Sequence, residues 1–77
     1  MNPQQSRAAR GLLKWTQSQL AKESGVALST VADFEGDKRH PREDNLSAMR
    51  RSLEKAGVEF ITAKSGKGFG VRLQEEK

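Results

Sequence analysis

The stretch Gln17-Ser18-Gln19-Leu20-Ala21-Lys22-Glu23-Ser24-Gly25-Val26-Ala27-Leu28-Ser29-Thr30-Val31-Ala32-Asp33-Phe34-Glu35-Gly36 decides how this chain folds. Thr16, just ahead of it, has the chemistry of an N-cap, Gln19 completes a capping box three residues on, and Trp15 is placed to staple onto Leu20. A helix therefore begins at Gln17. It stops after Ser24, because Gly25 adopts the left-handed conformation that ends a helix at little steric cost. After a turn through Gly25, Val26 and Ala27, the segment from Leu28 to Glu35 again has helical spacing and ends at Gly36. Val31 and Phe34 face inward, and Ser29, Thr30, Ala32 and Asp33 face outward. Ala21 supplies the small residue at which two helices can cross closely. Val26, Val31 and Phe34 fix the crossing by burial, each worth about 1.5–3 kcal/mol when removed from water.

Upstream, Ala8, Ala9, Leu12 and Leu13 fall at the spacing of an amphipathic helix over Gln4 to Trp15, entered near Pro3 and flanked by Arg7, Arg10 and Lys14. Downstream, the loop from Asp37 to Arg42 is basic, and Pro41 pushes His40 out of helical geometry. From about Asp44 to Ala56, Leu46, Met49, Leu53 and Ala56 recur at three- and four-residue steps, and Gly57 supplies the stop. Beyond it the period changes. Val58 to Thr62 and Phe69 to Leu73 are β-prone runs separated by residues 63–68, the pattern of a hairpin. An isolated hairpin is marginal in water, so the apolar side with Phe60 and Val71 must pack on the helices or on a second copy of the chain. Residues 74–77 are expected to fray. The fold class expected is mainly α, four helices with a C-terminal β-hairpin. Residues 1–57 form the helical unit, and residues 58–77 add the hairpin and tail to the same domain.

Composition bounds the function. Seventy-seven residues leave room for one domain with one modest core. Fourteen Lys and Arg against ten Asp and Glu give a net charge of +4, which favours a polyanionic partner. The absence of cysteine excludes disulfides, thiolate zinc sites and thiol nucleophiles, and a reducing cytoplasm is the simplest compartment. No apolar run approaches the roughly 20 residues needed to span a bilayer, so no membrane partner is expected. His40, the one histidine, lacks companions for a metal site or a catalytic arrangement. No enzyme, metal or cofactor is expected. Lys67-Gly68-Phe69-Gly70-Val71 resembles the start of an RNA-recognition strand, and Gly66-Lys67-Gly68 a phosphate loop, but four helical segments leave no space for the fold that either needs. A hairpin turn is the reading retained.

Two short helices joined by a glycine turn, the second with an apolar inner and a small polar outer side, satisfy the requirements of a helix-turn-helix. The segments Thr16-Gln17-Ser18-Gln19-Leu20-Ala21, Gly25-Val26, Ser29-Thr30-Val31 and Phe34-Glu35-Gly36 resemble the lambda-repressor-like, or XRE-type, helix-turn-helix family. The likeness continues to Leu46 and Leu53, covering roughly residues 7 to 57. It implies a transcriptional regulator, most simply a repressor, that binds duplex DNA as a homodimer, with the helix 28–35 in the major groove.

The resemblance also assigns roles. Leu28, Ser29, Ala32 and Asp33 would face base edges. Gln17, Thr30, Lys38, Arg39 and Arg42 would meet the sugar-phosphate backbone. Arg10 and Glu35 would form a structural ion pair between the first and third helices. The base-facing set departs from better-known readers in having no Gln, Asn or Arg for a bidentate contact. Ala27 stands where the family often has a capping Ser or Thr, a loss of about 1 kcal/mol. Two alternatives stay open: an antitoxin that binds DNA and a toxin protein, and a protein-interaction module on the same fold.

Overall fold

Asn2 opens the chain's first helix: its side chain accepts from the Gln5 N–H while the Gln5 side chain returns to the Asn2 N–H, a complete capping box with Pro3 at the first helical position. The computed structural model describes residues 1–75. In it α1 spans Pro3–Leu13, α2 Gln17–Ser24, α3 Leu28–Glu35 and α4 Glu43–Lys55, followed by β1 Val58–Ile61 and β2 Gly70–Leu73. The architecture is mainly helical, four helices with a two-stranded antiparallel hairpin at the C-terminal end.

Local chemistry sets the boundaries. Lys14 adopts a left-handed conformation (φ 59°) that ends α1 two residues before the expected Trp15. Thr16 accepts from the Gln19 N–H and caps α2, but the Gln19 side chain turns to Glu23 instead of reaching back. The capping box expected there is therefore half-formed, and the complete one lies at Asn2. Gly25 closes α2 with φ 72°, the left-handed stop that its lack of Cβ permits. At the end of α3 the positive φ falls on Asp37 (59°), one residue beyond Gly36. α4 starts at Glu43 and ends at Lys55, one residue earlier at each end than its apolar spacing suggested.

The strands pair Val58 with Leu73, Glu59 with Arg72, Phe60 with Val71 and Ile61 with Gly70. Thr62 and Phe69, expected inside the strands, lie outside them. Within the connection Lys64 and Lys67 form a further bridge around Ser65 and Gly66, so this segment is a structured turn. Of the expected frayed end, Gln74 is tied down by donating its N–H to the Gly57 carbonyl at 2.7 Å, and residues 76 and 77 lie outside the described residues.

The core is a single cluster of Ala9, Leu20, Val26, Val31, Phe34, Met49, Leu53 and Val58, drawn from every helix, the α2–α3 turn and β1. Leu13, Trp15, Ala21, Leu46, Phe60 and Val71 pack against it. One expectation is corrected here. Ala8 and Leu12, read as part of the apolar side of the first helix, are exposed; the inward side of α1 carries Gln5, Ser6, Ala9 and Leu13. Gln5 and Ser6 are tolerated inside because both are hydrogen-bonded. The apolar side of the hairpin, offered above to the helices or to a second copy, rests on the helices with Phe60 and Val71 half-buried, while Ile61 and Leu73 stay exposed. β2 packs on α1 and β1 on α4, and the Arg50 guanidinium lies 4.9 Å from the centre of the Phe60 ring.

Candidate nucleic-acid interface

Three elements place the side chains of interest. α2 packs across α3, with Leu20, Val26, Val31 and Phe34 sealed between them, and this burial leaves the opposite side of α3 at the surface. Leu28 and Ser29, at the N-terminal end of α3, are exposed, Leu28 by 47% although it is a large apolar residue. Ala32 and Asp33, one turn further, are half-buried, as is Thr30. No side chain caps α3 at Ala27; the Thr30 N–H donates to the Ala27 carbonyl at 3.0 Å, and the N–H groups of Leu28 and Ser29 have no partner on their own helix. Such an end carries a partial positive charge.

The loop after α3 is fastened to it. The Asp33 carbonyl accepts from the N–H of Lys38 at 2.8 Å and of Arg39 at 3.4 Å, and the Phe34 carbonyl accepts from Asp37. Pro41 is buried, which pins the far end of the loop. The fixed backbone leaves Lys38 and Arg39 exposed after α3, and Arg42, at the start of α4, is exposed as well. Arg39 shares a small surface depression with Ser29, Thr30, Asp33 and Pro41. Arg42 reaches Asp44 at 3.3 Å, but both side chains are largely solvated and the pair is weak. Loop and outer side of α3 thus form one surface.

Behind that surface lies a buried carboxylate. Glu35, with 1% of its side chain exposed, pairs with Arg10 at 2.6 Å and accepts further hydrogen bonds from Ser6 Oγ (2.6 Å) and Gln17 Nε2 (3.1 Å). Arg10 also donates to the Trp15 carbonyl at 3.0 Å, and Arg7 donates to the Glu35 carbonyl. Burial by itself pushes the Glu35 carboxyl up. Hydrogen bonds from Arg10, Ser6 and Gln17, with the Arg10 charge, outweigh it and hold the group below the usual glutamate range. One carboxylate therefore joins α1, the start of α2 and the end of α3. It sets the position of Gln17, the first residue of α2, whose amide is held on Glu35 at the edge of the exposed surface.

Sequence reasoning paired Arg10 with Glu35 and gave Gln17 to the sugar-phosphate backbone, but missed Gln17, Ser6 and Arg7 as partners of Glu35. Ser6 lies one helical turn before Arg10 and therefore on the same side of α1, a signal that was available. Pro41 was read only as a helix breaker, and its burial has no local signature. Among the described residues no group of three or more His, Asp or Glu could hold a metal ion, and no helix is long and apolar enough to cross a membrane.

The family model described as helix-turn-helix matches residues 7–60, from the Arg7 contact on Glu35 to Phe60 in β1. No curated protein matches the chain. With that match covering well over half of its length, on the elements that build the α2–α3 crossing, the chain belongs to the lambda-repressor-like (XRE-type) helix-turn-helix family of DNA-binding regulators.

Proposed function

We propose that the protein is a sequence-specific transcriptional repressor that binds duplex DNA as a homodimer, with α3 in the major groove. The observation that carries this reading is the exposed outer side of α3, flanked by a basic loop whose backbone is hydrogen-bonded to Asp33. Ser29 hydrogen-bonds base edges, Leu28 and Ala32 meet thymine methyl groups, and Asp33 accepts from a cytosine amino group. Gln17, Thr30, Lys38, Arg39 and Arg42 hold the register through the sugar-phosphate backbone. Occupation of an operator then excludes polymerase. Two copies would read half-sites about one helical turn apart, as two-fold symmetric helix-turn-helix dimers do.

Selection of bound sites from a random duplex library tests binding, preference and half-site spacing together. A palindromic consensus is expected. On it, Ser29→Ala changes the preferred base at one position in each half-site, whereas Lys38→Ala weakens all duplexes alike and lowers the log–log salt slope by about 0.9, one phosphate contact. Failure to enrich any duplex, or binding indifferent to salt, would return the chain to the class of protein-interaction modules.

A further inference from the structure

The hairpin tip carries charge that the reading above leaves unused. Residues 62–69 contain Lys64 and Lys67 and no carboxylate. The two lysines exchange backbone hydrogen bonds of 2.9 Å in both directions, around Ser65 (φ 52°) and Gly66 (φ 80°). A two-residue turn with both central φ positive is the tight hairpin geometry that matches strand twist, so the tip is ordered by its own backbone. Directly paired residues hold their Cβ atoms about 4.5–5.5 Å apart on one side of the ribbon, which sets two like charges against each other at a cost in stability. Both lysines are exposed, and neither forms an ion pair among the described residues. The carboxylate within the hairpin, Glu59, is engaged by Arg72 at 2.9 Å.

Position gives this charge a direction. Gln5 Nε2 donates to the carbonyls of Ile61 (3.3 Å) and Gly70 (3.1 Å), the last strand pair before the tip. The tip therefore leaves the body at the N-terminal end of α1. At that same end, Asn2 and Pro3 line one surface recess with Lys38 and Arg39 of the basic loop. Two residues, Thr62 and Ala63, separate Ile61 from Lys64, so the tip reaches at most about 10 Å beyond the last strand pair.

We infer that the hairpin tip is a second phosphate-binding element, in which Lys64 and Lys67 contact the backbone of duplex DNA outside the segment entered by α3. The inference rests on the DNA-binding reading and extends its footprint. Compact ammonium groups on flexible stems suit phosphate as point charges without a base preference. A phosphate between them also removes the repulsion that the turn imposes.

The test compares the full chain with Lys64→Gln/Lys67→Gln, on the selected operator and on an unrelated duplex, with salt varied from about 50 to 200 mM. The double variant is expected to fold with an unchanged or higher Tm, lose affinity for both duplexes by similar factors of about tenfold at low salt, and show a slope reduced by about 1.8. Hydroxyl-radical protection should shrink at the outer edge of each half-site and persist at its centre. An unchanged slope and footprint, with Lys38→Ala still impaired, overturns the second element and leaves the regulator intact. A wild-type chain that binds no duplex overturns the regulator reading itself.

Discussion

Glu35 is the residue on which the largest number of local interactions converge. Its carboxylate joins Ser6, Arg10 and Gln17 with almost no exposure to water. Replacing it by glutamine strands the Arg10 guanidinium, 18% exposed, beside a neutral amide. Glu35→Gln should cost about 3 kcal/mol at neutral pH, measured as a lower urea midpoint. Its acid dependence follows from the direction of the shift. The folded carboxyl titrates below the unfolded value of 4.5, so its stabilisation is complete above that value and is lost as pH falls through the lower folded one. In urea titrations the gap between wild type and variant should therefore narrow as pH falls below 4.5, and parallel curves would contradict the network. Ala27 gives the opposite case. It precedes an uncapped α3, so Ala27→Ser should add about 1 kcal/mol, and calorimetry of the free protein should show a Tm rise of about 4–8 °C.

At the scale of elements, the sequence was most legible where local chemistry acts alone. Gly25 and the Thr16 cap bound α2 to the residue, because each signal operates within a turn of its own position. α1 was harder. Its apolar count pointed to Ala8 and Leu12, while the side that packs is set by Ser6 meeting Glu35 and Gln5 meeting the hairpin, partners that lie 29 and more than 50 residues away. The same long-range bonds decide where the hairpin docks, which strand propensity cannot express. The exposed side of α3 followed from helical period, but the fastening of the basic loop to Asp33 depends on backbone geometry at Asp37 that no residue type announced. The hairpin's dependence on Gln5 is open to measurement. Gln5→Leu removes both bonds to the strand carbonyls, at a cost of about 1–2 kcal/mol. Amides around Ile61 and Gly70 should then exchange about tenfold faster in hydrogen exchange, with those of α4 unaffected. Equal acceleration everywhere would mean that the hairpin end does not open by itself.

The whole molecule has one core, so a loss inside that core is shared by every element that contributes to it. Leu53 and Met49 of α4, Leu20 of α2, Val31 of α3 and Val58 of β1 are all fully buried in the same cluster. A chain of this length has a total stability of roughly 4–12 kcal/mol, at about 0.05–0.15 kcal/mol per residue. Removing a buried leucine to its Cβ costs about 2–5 kcal/mol, since the surrounding helices only partly close the space. Leu53→Ala therefore consumes a large share of the margin, although Leu53 lies on neither the outer side of α3 nor the basic loop. Because α2 sits between α4 and α3, the loss cannot remain in α4. The expected result is one transition, with Trp15 fluorescence and helical circular dichroism falling together at a lower urea midpoint and the slope unchanged. DNA affinity measured well below that midpoint should stay close to wild type, since the folded fraction still presents the same surface. Two separated transitions would show that hairpin and helices hold independent cores, and the orientation of the tip relative to α3 would then no longer be fixed by the fold.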